Sequence, residues 1–175
     1  MWEIEKAANL LSIPCGKAVK FVHCNAVEPI VYSGHSDGSV RLYSINQGNA
    51  PITQIKGIID YPINSISLLS SRHQLLVSSQ EGNIIHLLDL KMNKSMAKYE
   101  HKDFFNTSVR ADISPAENFV VAGNCDGSIY YWQKDKKQFE RKVSGHDSPV
   151  TALKYHFISS ILASCDKDGS VILWQ

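Results

Sequence analysis

The sequence lacks the apolar run of about 20 residues that a membrane-spanning helix needs, and it shows no basic, apolar secretory leader. Its first residues, Met1-Trp2-Glu3-Ile4-Glu5, carry two acids in the place of Lys or Arg. Excess charge of either sign is also missing: 18 basic residues face 17 acidic ones, for a net charge of +1. Such a balance sets up no strong field toward a phosphate backbone or an anionic bilayer. Direct nucleic-acid binding and integral membrane association are therefore not expected. Cysteine is sparse, and Cys15, Cys24, Cys125 and Cys165 form no C-x-x-C pair. That excludes zinc-type spacing and a disulfide scaffold and reads as reduced thiols in an intracellular chain. The seven histidines show neither H-x-x-x-H nor H-E-x-x-H spacing, so no metal or other cofactor is expected. Helix-period apolar patterning is absent apart from a weak stretch over Ile4–Leu11.

What the chain does have is a repeat. Four times an apolar strand runs into a polar-Asp-Gly or Glu-Gly turn and out into a second apolar strand. The turn glycines, Gly38, Gly82, Gly127 and Gly169, are spaced by 44, 45 and 42 residues. Asp-Gly between β-forming residues predicts a hairpin, because the turn needs residues that tolerate positive φ. The outgoing strands, such as Val171-Ile172-Leu173-Trp174, are apolar on both faces, which suits a sheet sandwiched between neighbouring sheets. Further strands are expected before each hairpin, at Val19–Cys24, Ile63–Leu69, Val109–Ser114 and Val150–Tyr155. More polar outer strands follow at Ile52–Lys56, Ser95–Glu100 and Phe139–Val143. The second repeat has Glu81 for Asp and carries one extra residue before Leu88-Asp89, which predicts a bulge.

The period and the Gly145-His146 … Trp174 pattern resemble the WD40 family, which implies an all-β, WD40-type β-propeller with four repeats present. The repeats run over about 14–56, 57–100, 101–144 and 145–175, the last completed by 2–13. In that frame Trp2-Glu3 takes the Trp-Asp place of an earlier repeat, and Ala8–Ile13 is the outer strand that closes the last blade. The frame implies a fragment of a seven-bladed propeller whose first and last flat faces stay open. The family's structural tetrad falls on His146, Ser164, Asp168 and Trp174, expected to be a buried hydrogen-bonded network fixing the blade.

Residues 28–175 resemble, more specifically, the C-terminal half of the propeller of the autophagy-related sixteen-like family. The resemblance is carried by Tyr32-Ser33-Gly34-His35-x-Asp37 with Arg41, Leu87-Leu88-Asp89-Leu90, and Gly127-Ser128-Ile129-Tyr130-Tyr131-Trp132. His146-x-Ser148 and Ser164-x-Asp166-Lys167 complete it. It implies a cytoplasmic scaffold, recruited to autophagosome-forming membranes, whose partners are the autophagy conjugation machinery or membrane-receptor tails. The alternative is a WD-repeat subunit of a nuclear chromatin or ribosome-assembly complex.

No catalytic residue is assigned, and an enzyme is not expected. Gly34-His35-Ser36-Asp37-Gly38 matches G-x-S-x-G, but a nucleophile elbow needs a helix after it and Val40–Tyr43 alternates as a strand. Candidate protein-binding residues are Phe104, Phe105, Tyr61, His35 and Lys167. Two adjacent Phe residues in a polar loop cannot both enter one strand face, so one is expected inside and one available to a partner. Tyr61 sits at the equivalent place one blade earlier. Lys134-Asp135-Lys136-Lys137 reads as a solvated turn, or as a contact for an acidic partner.

Overall fold

Period-two patterning and glycine turns fold the chain into strands throughout. The computed structural model describes residues 2–3, 8–9, 12–25, 27–79, 81–105, 110–156 and 158–175, and every regular element among them is a strand. A short ladder pairs β1 (Trp2–Glu3) with β2 (Ala8–Asn9). The first blade is β3 (Val19–Cys24), β4 (Ile30–His35), β5 (Val40–Ser44) and β6 (Thr53–Ile55). The second is β7 (Ile63–Leu68), β8 (Gln74–Ser79), β9 (Ile85–Asp89) and β10 (Lys94–Tyr99). The third is β11 (Ala111–Ile113), β12 (Phe119–Gly123), β13 (Ser128–Gln133) and β14 (Gln138–Ser144). Among the described residues the fourth has three strands, β15 (Val150–Tyr155), β16 (Leu162–Asp166) and β17 (Val171–Trp174). All pairings are antiparallel between sequential strands, the arrangement of a four-bladed propeller segment.

The blades stack through three apolar interfaces, as expected of strands that are apolar on both faces. Tyr32, Leu42 and Ile55 of the first blade pack on Ile66, Leu75 and Leu88 of the second. Leu76, Leu87 and Tyr99 meet Val120, Tyr130 and Trp132 of the third. Val121, Ile129 and Tyr131 meet Leu153 and Leu162 of the fourth. A buried carboxylate adds a polar staple. Asp112, 3% exposed, accepts hydrogen bonds from Ser67 Oγ (3.1 Å), Lys154 Nζ (2.7 Å) and the Tyr155 amide (2.8 Å), and so ties three blades together.

Two details differ from expectation. The extra residue of the second blade makes no bulge in the β8–β9 ladder, whose register is continuous. It lengthens the turn instead: Ser79–Ile84 spans the interval that His35–Ser39 and Asn124–Ser128 span in their blades. Bulges recur at the start of inner strands, between Val19 and Phe21, Ile63 and Ser65, and Val150 and Ala152. The expected closing strand, Ala8–Ile13, lies partly outside the described residues. Its positions Ala8 and Asn9 pair with Glu3 and Trp2, not with β17. Val171 and Leu173 are each 70% exposed on the open flat face of the fourth blade, and Val22 is 54% exposed on that of the first.

Candidate protein-binding surface

One face of the blades collects the turns between the second and third strands of each blade and the loops that lead from an outer strand to the next inner strand. The turns are built from their own side chains. Asp37 Oδ1 accepts from the Ser39 amide (3.1 Å) and hydroxyl (2.5 Å), and Asp126 Oδ1 does the same for Ser128 (3.0 and 2.6 Å). Burial pushes the Asp126 carboxyl up, but the Ser128 hydroxyl, Lys142 at 3.0 Å and the Ser128 amide overcome it and hold Asp126 at about 2. Gly127 has φ +79° and lies directly beneath the His146 carbonyl, where a Cβ would collide. The interblade loop is thereby seated on the turn.

In the fourth blade the tetrad is present with one member exchanged. Trp174 Nε1 donates to Ser164 Oγ (2.8 Å), Ser164 meets His146 Nε2 (2.7 Å), and His146 Nδ1 meets Asp166 Oδ2 (2.9 Å). The acid is Asp166, not Asp168. Ser164 and Asp166 are two residues apart on β16 and share its face, whereas Asp168 is exposed in the turn and its amide donates to Asp166 Oδ1 (3.1 Å). Strand alternation was the signal that could have separated the two. Hydrogen bonds from the Ser170 amide, then from His146, hold the Asp166 carboxyl below the usual carboxylate range against a partial burial penalty. Gly145 lets the indole close over the chain, since a Cβ there would strike Trp174. The Ser–His–Asp connectivity matches a hydrolase relay, but Ser164 is 2% exposed and its oxygen already accepts from Trp174. The relay fixes a blade.

The third blade solves the same problem with an aromatic. Phe104 is 1% exposed and stands edge-on to Trp132 at 5.0 Å, the place that His146 occupies against Trp174. Trp132 Nε1 donates to the Glu100 carbonyl (3.1 Å), and Tyr130 Oη and Asn124 Nδ2 donate to that of Asp103 (3.1 and 3.2 Å). Asn124 Oδ1 accepts the Phe105 amide (2.7 Å), which turns the Phe105 ring outward, 51% exposed.

The structure thus divides the candidate residues. Phe105, Tyr61 (41% exposed) and Lys167 reach solvent. Phe104 and His35 do not, and both are corrected to structural roles. His35 is fully buried with Nε2 2.8 Å from Ser33 Oγ, and burial, then Arg41, pushes its imidazole down. A cleft of about 330 Å³ lies between the second and third blades, lined by Gly82, Asn83, Ile84, Glu100, His101, Lys102 and Phe104. Tyr61 packs its ring on Gly82 of this cleft, and Phe105 follows Phe104. The two exposed aromatics are each one step from the same recess. Lys167 lies a blade away and does not join them. Sequence reasoning placed Asp166 in Ser164-x-Asp166-Lys167 but gave its tetrad role to Asp168, and it missed the Asn124 anchor and the Asp112 staple, neither of which sits in a motif of its own.

Comparison with known proteins agrees with this geometry. The model of the WD domain, G-beta repeat matches residues 94–133 and 137–175. Autophagy-related protein 16 of Arabidopsis thaliana is 28% identical over 99% of this chain and 34% of its own length. Protein tipD of Dictyostelium discoideum is 23% identical over 100% of the chain and 29% of its own length. Periodic tryptophan protein 2 of Arabidopsis thaliana is 28% identical over 88% of the chain and 17% of its own. The chain thus spans about a third or less of these relatives. The computationally designed Ika4 protein has the same fold, with a TM-score of 0.75 at 22% identity, covering 95% of this chain and 97% of that one. The WD40 propeller domain of Doa1 gives 0.74 at 13%, covering 89% and 50%. The chain has a β-propeller fold, residues 94–133 and 137–175 match WD40 repeats, and the chain resembles the autophagy-related sixteen-like proteins.

Proposed function

We propose that this chain is a protein-recruiting propeller segment of an autophagy conjugation-complex protein, binding through the turn face around Tyr61 and Phe105. The carrying observation is the pair of exposed aromatics beside an interblade cleft on a rigid frame, where large apolar rings anchor partners. Similarity to Autophagy-related protein 16 over nearly the whole chain supports the autophagy context. The partners would be conjugation machinery or membrane-receptor tails met in the cytoplasm at autophagosome-forming membranes. A second reading, a subunit of a nuclear chromatin or ribosome-assembly complex, draws on equal identity to Periodic tryptophan protein 2, whose name carries no link to autophagy. Quantitative affinity purification from cytosol and nuclei, comparing the chain with a Tyr61→Ala, Phe105→Ala variant, separates the two. Autophagy conjugation proteins lost from the variant are the expected result. Enrichment of chromatin or ribosome-assembly factors favours the second reading, and an unchanged profile removes the cleft from the account.

A further inference from the structure

The opposite face, formed by the turns that join the first strand of a blade to its second and the third to its fourth, carries a second recess that the turn-face reading does not use. Between the second and third blades, Gln74, Leu87, Met96 and Ala97 line a groove of about 190 Å³ with Lys134, Asp135 and Lys137 at its rim. Met96 is the bulged residue where the β9–β10 register slips, and it stands 38% exposed with Gln74 Nε2 3.3 Å from its sulfur. The groove is held open from both sides. Lys137 Nζ donates to the Met96 carbonyl (2.9 Å), and Tyr99 Oη donates to that of Lys134 (3.1 Å).

The rim is cationic. Lys134 is engaged by Glu117 (3.6 Å) and Asp135 (3.8 Å). Lys91, Lys94, Lys136 and Lys137 are all exposed, and no ion pair within 4 Å is made by any of them among the described residues. Asp135, Glu117 and Asp89 are the acids set among them, and the lysines outnumber them. The near-neutral total of +1 does not show this local patch.

We propose that this groove docks an acidic peptide segment that inserts one aliphatic side chain against Leu87, Met96 and Ala97. The lysines steer and orient the segment, and the recess gives the contact its specificity. A pit lined by a thioether and methyl groups asks for a side chain, which a phosphate backbone does not offer. Met96 is tethered at its carbonyl by Lys137 and at its sulfur by Gln74, which holds it as one wall of the pit. The proposal does not rest on the reading of the Tyr61–Phe105 face.

The test is fluorescence anisotropy of a labelled seven-residue peptide of Asp and Glu around a central Leu, with the full chain. Binding at low ionic strength, weakened at least tenfold by 0.15 M salt or by Lys136→Glu with Lys137→Glu, is expected. Replacing the peptide's Leu by Ser, or Met96 by Glu, weakens it at least fivefold, while Lys20→Glu leaves it unchanged. Should the double variant fail to fold by circular dichroism, Lys136→Glu alone replaces it. No salt-sensitive binding, or binding indifferent to both the lysines and the central Leu, overturns the proposal. So does tighter lysine-dependent binding of oligo-dT or of phosphatidylserine vesicles, which would make the patch a nucleic-acid or lipid site.

Discussion

His86 sits on β9 with 5% exposure, its Nδ1 3.3 Å from Ser95 Oγ, and burial, with help from Lys98, pushes its imidazole down to about 4. The unfolded chain takes up that proton near 6.5, so the folded state loses stability as pH falls from 6.5 toward 4 and keeps it above 6.5. The loss amounts to about 2 kcal/mol after allowance for solvent screening. Urea midpoints measured across this window should slope for the native chain and flatten for His86→Asn. An equal slope in both would assign the acid lability elsewhere. The tetrad allows a second comparison. Ser164→Ala strands the donor of Trp174 and the ring nitrogen of His146 and should cost about 1–3 kcal/mol. Asp166→Asn should lower the urea midpoint, and Asp168→Asn, at an exposed turn position, should leave it in place. The reverse order would restore Asp168 to the network.

The strands were legible because short apolar runs, continuous in the hairpin strands, are bounded by turn signals. Val19–Cys24 and Val150–Tyr155 match their elements end to end. Three hairpins were legible from Asp-Gly and the second from Glu81-Gly82 at the same period. What could not be read was how each loop meets the turn beneath it. The Gly-His of the fourth blade and the His101–Phe105 loop of the third occupy equivalent places with unrelated sequences. One supplies a hydrogen-bonding imidazole and the other a ring edge. Composition shows that one of the two phenylalanines must be inside, but only the Asn124 side chain, gripping the Phe105 amide, decides which. The extra residue of the second blade was visible as a count, yet a count does not say whether a ladder or a turn absorbs it. Phe104→Ala should therefore destabilise by about 3–5 kcal/mol, as truncations of buried aromatics do. Phe105→Ala should leave the melting curve unchanged and reduce partner capture. If melts show Phe105 to be the costly one, the loop is threaded the other way.

At the scale of the whole molecule, the three filled interfaces define what the two open faces lack. Each interface pairs the trailing face of one blade with the leading face of the next, as Tyr131 and Ile129 do with Leu153 and Leu162. The trailing face of the fourth blade presents Val171 and Leu173 at 70% exposure, and the leading face of the first presents Val22 at 54%. These are the two halves of one more interface of the same kind. Burying an aliphatic side chain contributes about 1.5–3 kcal/mol relative to exposure, so covering these residues favours association. Exposed apolar surface of this sort is uncommon on monomers. The 175-residue chain in isolation is therefore expected to self-associate, trailing face to leading face, and light scattering should report a mass above 19.5 kDa. Val171→Lys with Leu173→Lys places two charges where the partner face must dock and should return the chain to monomer without unfolding it, since neither side chain is part of the interior. A 19.5 kDa particle from the unsubstituted chain would mean that the blades satisfy their own end faces. A variant that remains associated would mean that the contact runs through another surface, with the exposed edge of β17 as the next place to substitute.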